Sequence, residues 1–329
     1  MFELTLFIIL IALLFDFLNG MNDAANSIAT VVATRVLTPK IAVLWAAFFN
    51  FAAAFGFGVH VANTIGKGIV VTEVVDQYII LSALIGAVIW THGCTKYGFP
   101  ISVSHSLIGG LAGAAIIKAG FNSLISSGII KVTIFIFLSP IIGLILGSIF
   151  MIAVTWIFRN SSNRKVDKVF KIGQLISSAA FSLGHGTNDA QKTMGIISIL
   201  LFTNGYLGSE FYVPFWVVII SHTAIGLGTL AGGWKVIQTM GMKLTHLKPV
   251  GGFCAETAGA VVLVGTALAG IPVSTTHTIT GSVMGVGIIK RLTAVKWGIA
   301  GKIIWAWVLT IPISGLCGAL AYLLISLFL

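Results

Sequence analysis

Two short stretches of the chain repeat a glycine, an asparagine and an aspartate within strongly apolar sequence. "GMNDAANSIAT" covers residues 20–30 and "GTNDAQKTMGI" covers residues 186–196, so that Asp23 and Asp189 lie 166 positions apart. A carboxylate inside a membrane-length apolar segment is costly and is a functional candidate for that reason. Amide and carboxylate oxygens are hard ligands that suit a small alkali cation. We predict that four residues hold cations: Asn22, Asp23, Asn188 and Asp189.

Gly20 and Gly186 open the two motifs, and glycine weakens the interior of a helix. We expect the helices to be interrupted there, which would free backbone carbonyls to join the cation ligands. The second copy carries Gln191 and Lys192 where the first carries an alanine and Asn26. The site is therefore expected to be asymmetric, with Lys192 facing either a carboxylate or an anion.

A second pair of stretches repeats with hydroxyl residues in place of the acids. "PISVSHSLIGGLAG" begins at Pro100 and "PVSTTHTITGSVMG" begins at Pro272, 172 positions later. Proline followed by hydroxyl residues is typical of a helix start, whose unpaired N–H groups and positive dipole end attract anions. His105 and His277 are either ligands or packing residues. We predict a tetrahedral oxyanion between the two starts, with hydroxyl donors among Ser102, Ser104, Ser106, Ser274, Thr276 and Thr278.

The apolar runs that carry these motifs predict an all-α, polytopic membrane protein. Of the 329 residues only 9% are charged, against about 25% in soluble domains. Several runs approach or exceed the roughly 20 residues that cross a bilayer as a helix. Ten segments are expected, at 3–33, 41–63, 77–96, 100–117, 132–157, 172–203, 212–232, 250–270, 272–289 and 298–328. The third and fourth segments, and the eighth and ninth, either span the membrane or re-enter it from one side.

The repeated motifs divide the chain into two halves, residues 1–158 and 172–329, joined by a basic linker at 159–171. The offset of 172 that relates the hydroxyl-rich stretches also relates Pro140 to Pro312. Five segments per half is an odd number, so the halves must face opposite ways across the membrane. Inverted repeats with interrupted helices are characteristic of secondary transporters.

The net charge of +10 is explained better by membrane topology than by nucleic-acid binding, which we do not expect. With the N-terminus outside, fourteen lysines and arginines lie in inner loops and segment ends, against three in outer ones. Basic residues favour the cytoplasmic side, so we expect a multi-pass plasma-membrane protein with both termini outside. The three scattered cysteines predict neither a disulfide framework nor a zinc site.

The four stretches together resemble the inorganic phosphate transporter family of the PiT type, in the family's order and over nearly the whole chain. The resemblance implies a phosphate symporter in the lipid bilayer, coupled to sodium or protons, with an inverted-repeat fold and often a homodimer. It places the Asn–Asp pairs on the sodium side, to which we also assign Ser102 and Ser274. It places Asn26, Gln191 and the remaining hydroxyls on the phosphate side.

Several alternatives stay open at this point, namely a sulfate permease of the same family, proton coupling, an anion channel and an intramembrane enzyme. Phosphate keeps a proton that a nearby carboxylate can accept, whereas sulfate has none, which favours phosphate. The sequence contains neither His-Glu-x-x-His nor Gly-x-Ser-x-Gly, so an enzyme is not expected. Glu256, another acid in an apolar run, is a further candidate for a functional role.

Overall fold

The computed structural model describes residues 2–328, apart from the side chain of Met242, and most of this range is helical. The all-α prediction is confirmed; the predicted outer limits 1 and 329 lie outside the described residues. The first half contains α1 (Phe2–Ala33), α2 (Pro39–Ala52), α3 (His60–Lys67), α4 (Gln77–Tyr97), α5 (Val103–Ala119) and α6 (Ser126–Ile157). The second half contains α7 (Asn163–Thr203), α8 (Phe215–Ala231), α9 (Trp234–Gln238), α10 (Pro249–Leu268), α11 (Thr275–Lys290) and α12 (Trp297–Ser326).

The predicted segments differ from these helices in two respects. The predicted segment 41–63 is broken into α2 and α3, which are bent by 82°, and α8 is followed by α9 at a bend of 66°. In addition, α7 begins at Asn163 and not near residue 172, because Ser162 caps it by accepting a hydrogen bond from the Lys165 N–H. Most of the predicted linker is therefore the first part of α7.

Within residues 2–328, five helices are long and apolar enough to cross a membrane by themselves, and each bent pair adds one more if its two parts form a single span. The five are α1, α4, α6, α10 and α12. By contrast, α5 has 17 residues and α11 has 16. At 1.5 Å per residue they are about 24–26 Å long, short of the roughly 30 Å hydrocarbon core. This length favours α5 and α11 as the shorter arms of re-entrant pairs formed with α4 and α10, an arrangement that keeps the number of crossings in each half odd.

The two helices that carry the Asn–Asp motifs, α1 and α7, lie side by side and run in opposite directions. Near the start of α1 the ring of Phe2 lies 6.4 Å from that of Tyr206, just beyond the end of α7. Near the end of α1 the hydroxyl of Thr34 donates to Oε1 of Gln174, in the first part of α7, at 2.8 Å. Contacts at both ends fix an antiparallel arrangement, and the motifs meet between them.

The expected interruption at Gly20 and Gly186 is wrong, because α1 and α7 continue through both glycines. A Cβ on Gly20 would come within 2.1 Å of the carbonyl oxygen of Ile225 in α8. A Cβ on Gly186 would come within 2.5 Å of the carbonyl oxygen of Asn50 in α2. The glycines thus let pairs of helices approach closely, as small residues do in membrane bundles.

The helices break instead at glycines with positive φ, between α2 and α3 and between α8 and α9. Gly58 has φ of 69° and Gly232 has φ of 66°, a conformation that residues with a Cβ rarely adopt. The bends shorten the second element of each half and direct α3 toward α7.

The two halves are interlocked through their last helices. α6 of the first half packs along α11 of the second, and α12 of the second half packs along α5 of the first. The contacts are between backbones: a Cβ on Gly281 would lie 2.1 Å from the carbonyl oxygen of Pro140, and one on Gly113 would lie 2.0 Å from that of Gly315. This exchange brings the starts of α5 and α11 against the middle of α1 and α7.

Candidate functional site

Two capped helix starts face each other at the centre of the protein. The Ser102 hydroxyl accepts from the backbone N–H of His105 at 3.3 Å, and the Ser274 hydroxyl accepts from that of His277 at 3.2 Å. The hydroxyl of Thr276, in the first turn of α11, donates to the carbonyl oxygen of Ile101 at 2.9 Å, which ties the two starts together. The predicted helix starts are therefore present and adjacent, with their positive dipole ends directed to one place.

The carboxylates of Asp23 and Asp189 lie beside these starts. One oxygen of each, together with a ring nitrogen of His185, falls within a group whose atoms are all within 4.8 Å of one another. His185 Nε2 lies 3.2 Å from Asp189 Oδ2 and 3.9 Å from Asp23 Oδ2. The Thr275 hydroxyl lies 2.9 Å from Asp189 Oδ2 and 3.1 Å from Asp23 Oδ2. Asp23 is 2% exposed and Asp189 is fully buried, so two acids share one site away from water.

Lys192 reaches the same site from α7. Its ammonium donates to Asp189 Oδ1, to the hydroxyl of Ser104 and, at 2.8 Å, to the carbonyl oxygen of Val273. The side chain is 1% exposed. An ammonium has three hydrogens, so these three oxygens use its full donor capacity.

Asn26, which corresponds to Lys192 in the first motif, contacts the start of α11. Its amide nitrogen lies 3.0 Å from the hydroxyl of Thr276 and 3.3 Å from that of Thr275. Thr276 in turn lies 3.2 Å from Asp23 Oδ1. Both motifs therefore contact the same helix start, through an amide in one case and an ammonium in the other.

The asparagines of the two motifs each offer an unused oxygen. Asn22 donates through Nδ2 to the hydroxyl of Thr95 at 2.7 Å, and Asn188 donates to that of Thr266 at 3.4 Å. Both Oδ1 atoms are buried, and neither has a hydrogen-bond partner within the described part of the chain. A buried acceptor without a partner costs about 1–3 kcal/mol, which a bound cation would offset. These unused amide oxygens and the neighbouring carboxylates are oxygen ligands of the kind that an alkali ion binds.

The chain matches the profile of the phosphate transporter family over residues 19–318. It belongs to this family. The matched range includes all four repeated stretches, so the resemblance seen in the sequence is confirmed, and a transporter rather than an enzyme is what the family indicates.

Individual relatives agree with the family. The chain is 54% identical over 321 residues to a protein of Rhizobium meliloti described as "Probable low-affinity inorganic phosphate transporter", covering 98% of this chain and 96% of the relative. It is 44% identical over 331 residues to a Bacillus subtilis protein of the same description, covering 98% of both. Among solved structures, "The sodium-dependent phosphate transporter" matches with a TM-score of 0.90 and 27% identity, covering 99% of this chain and 100% of that one.

Three of the predicted phosphate ligands use their oxygens elsewhere in the transporter. Gln191 Oε1 accepts from the backbone N–H groups of Val61 and Ala62, at 2.8 and 3.2 Å, and so caps the start of α3. The hydroxyls of Ser106 and Thr278 donate to backbone carbonyls one turn earlier in their own helices. Of the predicted hydroxyls, Ser104 and Thr276 are the two that contact the side chains of the Asn–Asp motifs.

The paired histidines pack against each other near the site. The rings of His105 and His277 lie 5.0 Å apart edge to face, and His277 stacks on Trp307 at 3.8 Å. Pro140 has no N–H, so the carbonyl oxygen of Ile136, four residues earlier, lacks its helical partner. His277 Nδ1 lies 3.3 Å from that oxygen. These contacts match the packing alternative for His277.

Glu256 belongs to a separate polar cluster between α1, α7 and α10. Its carboxylate accepts from the hydroxyls of Thr30 and Ser177 and from Gln174 Nε2, the last at 3.0 Å. The side chain is fully buried. It holds three helices together and contacts neither Asp23 nor Asp189 in the hydrogen bonds of the structure.

Thr275 and His185 are the site residues that the sequence did not reveal. The cation site and the anion site were both predicted from repeated stretches, and neither of these residues is repeated. The position equivalent to Thr275 in the first half is Val103, and the position equivalent to His185 is Asn19. A signal was available for His185, because a histidine four residues before an aspartate lies on the same helix face.

Proposed function

We propose that the transporter takes up inorganic phosphate by symport with sodium ions. The single observation that carries this proposal is the contact of two buried carboxylates with the start of α11, which is tied to the start of α5 through Thr276, so that acids lie beside two helix ends suited to an anion. Phosphate cannot approach two carboxylates in a low-dielectric site at reasonable cost unless cations neutralise them. Sodium bound at the Asn–Asp pairs would supply that charge, and the helix starts with Ser104 and Thr276 would bind the phosphate oxygens.

The neighbouring solved structure supports sodium as the coupling ion, because the protein it describes is a sodium-dependent phosphate transporter. The relatives' descriptions name phosphate and not sulfate. Proton coupling is the alternative that the site itself suggests, since His185 lies between the two carboxylates. Ser102 and Ser274 remain predicted sodium ligands, each now with a hydroxyl that also caps a helix.

We further propose that the two halves form inverted repeats, with α1 to α6 related to α7 to α12. The antiparallel contact of α1 with α7 supports this, since these helices carry the same motif in opposite directions. So does the reciprocal packing of α6 on α11 and α12 on α5. The site is buried on all sides, so transport requires that one set of helices move against the other to expose it alternately to each side.

A plasma-membrane location and a homodimer complete the proposal. α6 and α12 expose long rows of large apolar side chains, including Ile141, Ile145, Leu316 and Leu320. We propose that lipid chains cover most of this apolar surface and that a second copy of the protein packs against part of it.

Uptake into liposomes tests the proposal. The purified full-length protein is reconstituted, and entry of radiolabelled phosphate is followed under an inward sodium gradient or an equal choline gradient at matched pH. We expect accumulation above equilibrium with sodium only, competition by unlabelled phosphate and none by sulfate. Asp23→Asn should abolish the sodium effect, whereas Asp167→Asn, which changes an exposed carboxylate near the start of α7, should not. Uptake that follows a proton gradient and ignores sodium would overturn sodium coupling.

A further inference from the structure

The two Asn–Asp motifs differ at one position inside the site: Asn26 in α1 corresponds to Lys192 in α7. Both side chains are 1% exposed and both contact the facing helix starts. The asparagine is neutral, whereas the lysine brings a positive charge on a side chain long enough to reach Ser104, in the first turn of α5 in the other half. Two half-sites that resemble each other in sequence therefore differ in charge.

The surroundings of the Lys192 ammonium are those that a small cation would select. Its three partners are oxygens of different types, namely a carboxylate (Asp189), a hydroxyl (Ser104) and a backbone carbonyl (Val273). Carboxylate, hydroxyl and carbonyl oxygens are also the ligands of alkali ions in transporter sites. A lysine ammonium and a sodium ion both carry one positive charge.

A direct role for Lys192 as a phosphate ligand fits the geometry less well. All three ammonium hydrogens already have protein acceptors, one of them the carboxylate that most needs a positive partner. Turning the ammonium toward phosphate would leave Asp189 buried beside an anion with only His185 and Thr275 in contact with it.

We propose that Lys192 is a tethered cation that occupies the place of a sodium ion beside Asp189. The pair at Asn22 and Asp23 then binds a transported sodium, whereas in the second half the protein supplies the positive charge itself. This inference rests on the proposed phosphate symport and narrows it. The transporter carries one coupling ion fewer for each phosphate than its two Asn–Asp motifs would suggest.

The substitution Lys192→Asn tests this, because it restores in α7 the residue that α1 carries. Sodium and phosphate fluxes are measured together with labelled ions in proteoliposomes, and the steepness of sodium activation is measured by phosphate binding to the purified protein. We expect the variant to bind phosphate only at higher sodium concentration, to carry one additional sodium per phosphate and to show a Hill coefficient for sodium that is about one larger.

Lys192→Met is the matched control, since it removes the charge and offers no oxygen ligand. We expect its phosphate affinity to fall at least tenfold at every sodium concentration, with no additional sodium carried. Lys192→Gln repeats the test with a longer amide if the asparagine variant elutes as aggregate in size-exclusion chromatography. Equal loss in the amide and methionine variants, without a change in sodium dependence, would overturn the proposal and assign Lys192 to phosphate.

The outcome is separable from that of the proposed function. Wild-type uptake that ignores sodium would overturn sodium symport, yet a sodium requirement newly gained by Lys192→Asn would still support the tethered cation. Conversely, sodium-driven uptake with an unchanged ion ratio in Lys192→Asn would retain the symporter and reject the tethered cation.

Discussion

Thr276 and Thr278 lie two residues apart at the start of α11, and their hydroxyls have different partners. That of Thr276 lies 3.2 Å from Asp23 Oδ1 and accepts from Asn26, whereas that of Thr278 donates to the Ser274 carbonyl of its own helix. The reason is helical geometry, since a hydroxyl can bond to the carbonyl four residues earlier. The sequence suggested equivalent roles for both, because it shows spacing and not the direction of each side chain.

Substituting valine at each position distinguishes these roles. We expect Thr276→Val to weaken phosphate binding roughly tenfold or more, since a hydrogen bond to a charged group is worth about 1.5–3 kcal/mol. Thr278→Val should leave binding within about twofold, because its hydroxyl bonds only within α11. Phosphate binding to the purified variants at fixed sodium gives the comparison. A Thr276→Val variant that also binds phosphate within about twofold of the wild type would show that the hydroxyl contacts of Thr276 do not matter for the ligand.

At the scale of the helices, the sequence predicted the order of the long apolar helices better than the places where helices break. Apolar length identified α1, α4, α6, α10 and α12, because a run of about 20 apolar residues has few alternatives to a spanning helix. Gly20 and Gly186 were mistaken for breaks because a glycine that permits close packing and one that ends a helix look alike in one sequence. The two kinds of glycine are distinguished only in the folded protein, where α8 packs directly against Gly20 and α2 packs directly against Gly186.

Replacing these glycines with alanine measures the packing. Gly20→Ala places a methyl group within 2.1 Å of the carbonyl oxygen of Ile225, and overpacking of this kind costs about 1–3 kcal/mol. We expect a lower melting temperature in detergent and lower sodium-driven uptake. Gly265→Ala, in α10, brings the new methyl within 4 Å of no described atom beyond the neighbouring residues and backbone of its own helix, and should melt at the same temperature or higher, since alanine is the better helix former. A Gly20→Ala variant as stable as the wild type would contradict the close α1–α8 contact.

For the molecule as a whole, what the sequence could not show is how the halves exchange helices. Repetition revealed two related halves, but contacts such as α6 with α11 join residues more than a hundred positions apart and leave no local pattern. The interlocking has a mechanical consequence. The starts of α5 and α11 are held by helices of the opposite half, so a movement of one half relative to the other changes both walls of the site together.

The orientation in the membrane follows from the same antiparallel arrangement and can be tested with single cysteines. If α1 begins outside, then α7 ends outside, because Phe2 and Tyr206 are in contact, and the start of α7 is cytoplasmic. The single cysteines are placed at two exposed residues, Asn122 after α5 and Arg164 at the start of α7. The variants Asn122→Cys and Arg164→Cys are made with Cys317 replaced by serine, since the other two native cysteines are buried.

A membrane-impermeant maleimide applied to intact cells should label the cysteine at position 122 and not the one at position 164. After permeabilisation both should react, which controls for the intrinsic reactivity of each thiol. The expectation rests on the excess of lysine and arginine at the loops on the side of Arg164, which favours the cytoplasm. The reverse pattern would place both termini in the cytoplasm and overturn the expected orientation. Labelling of both positions from outside would contradict the odd number of crossings between them, and with it the opposed orientation of the two halves.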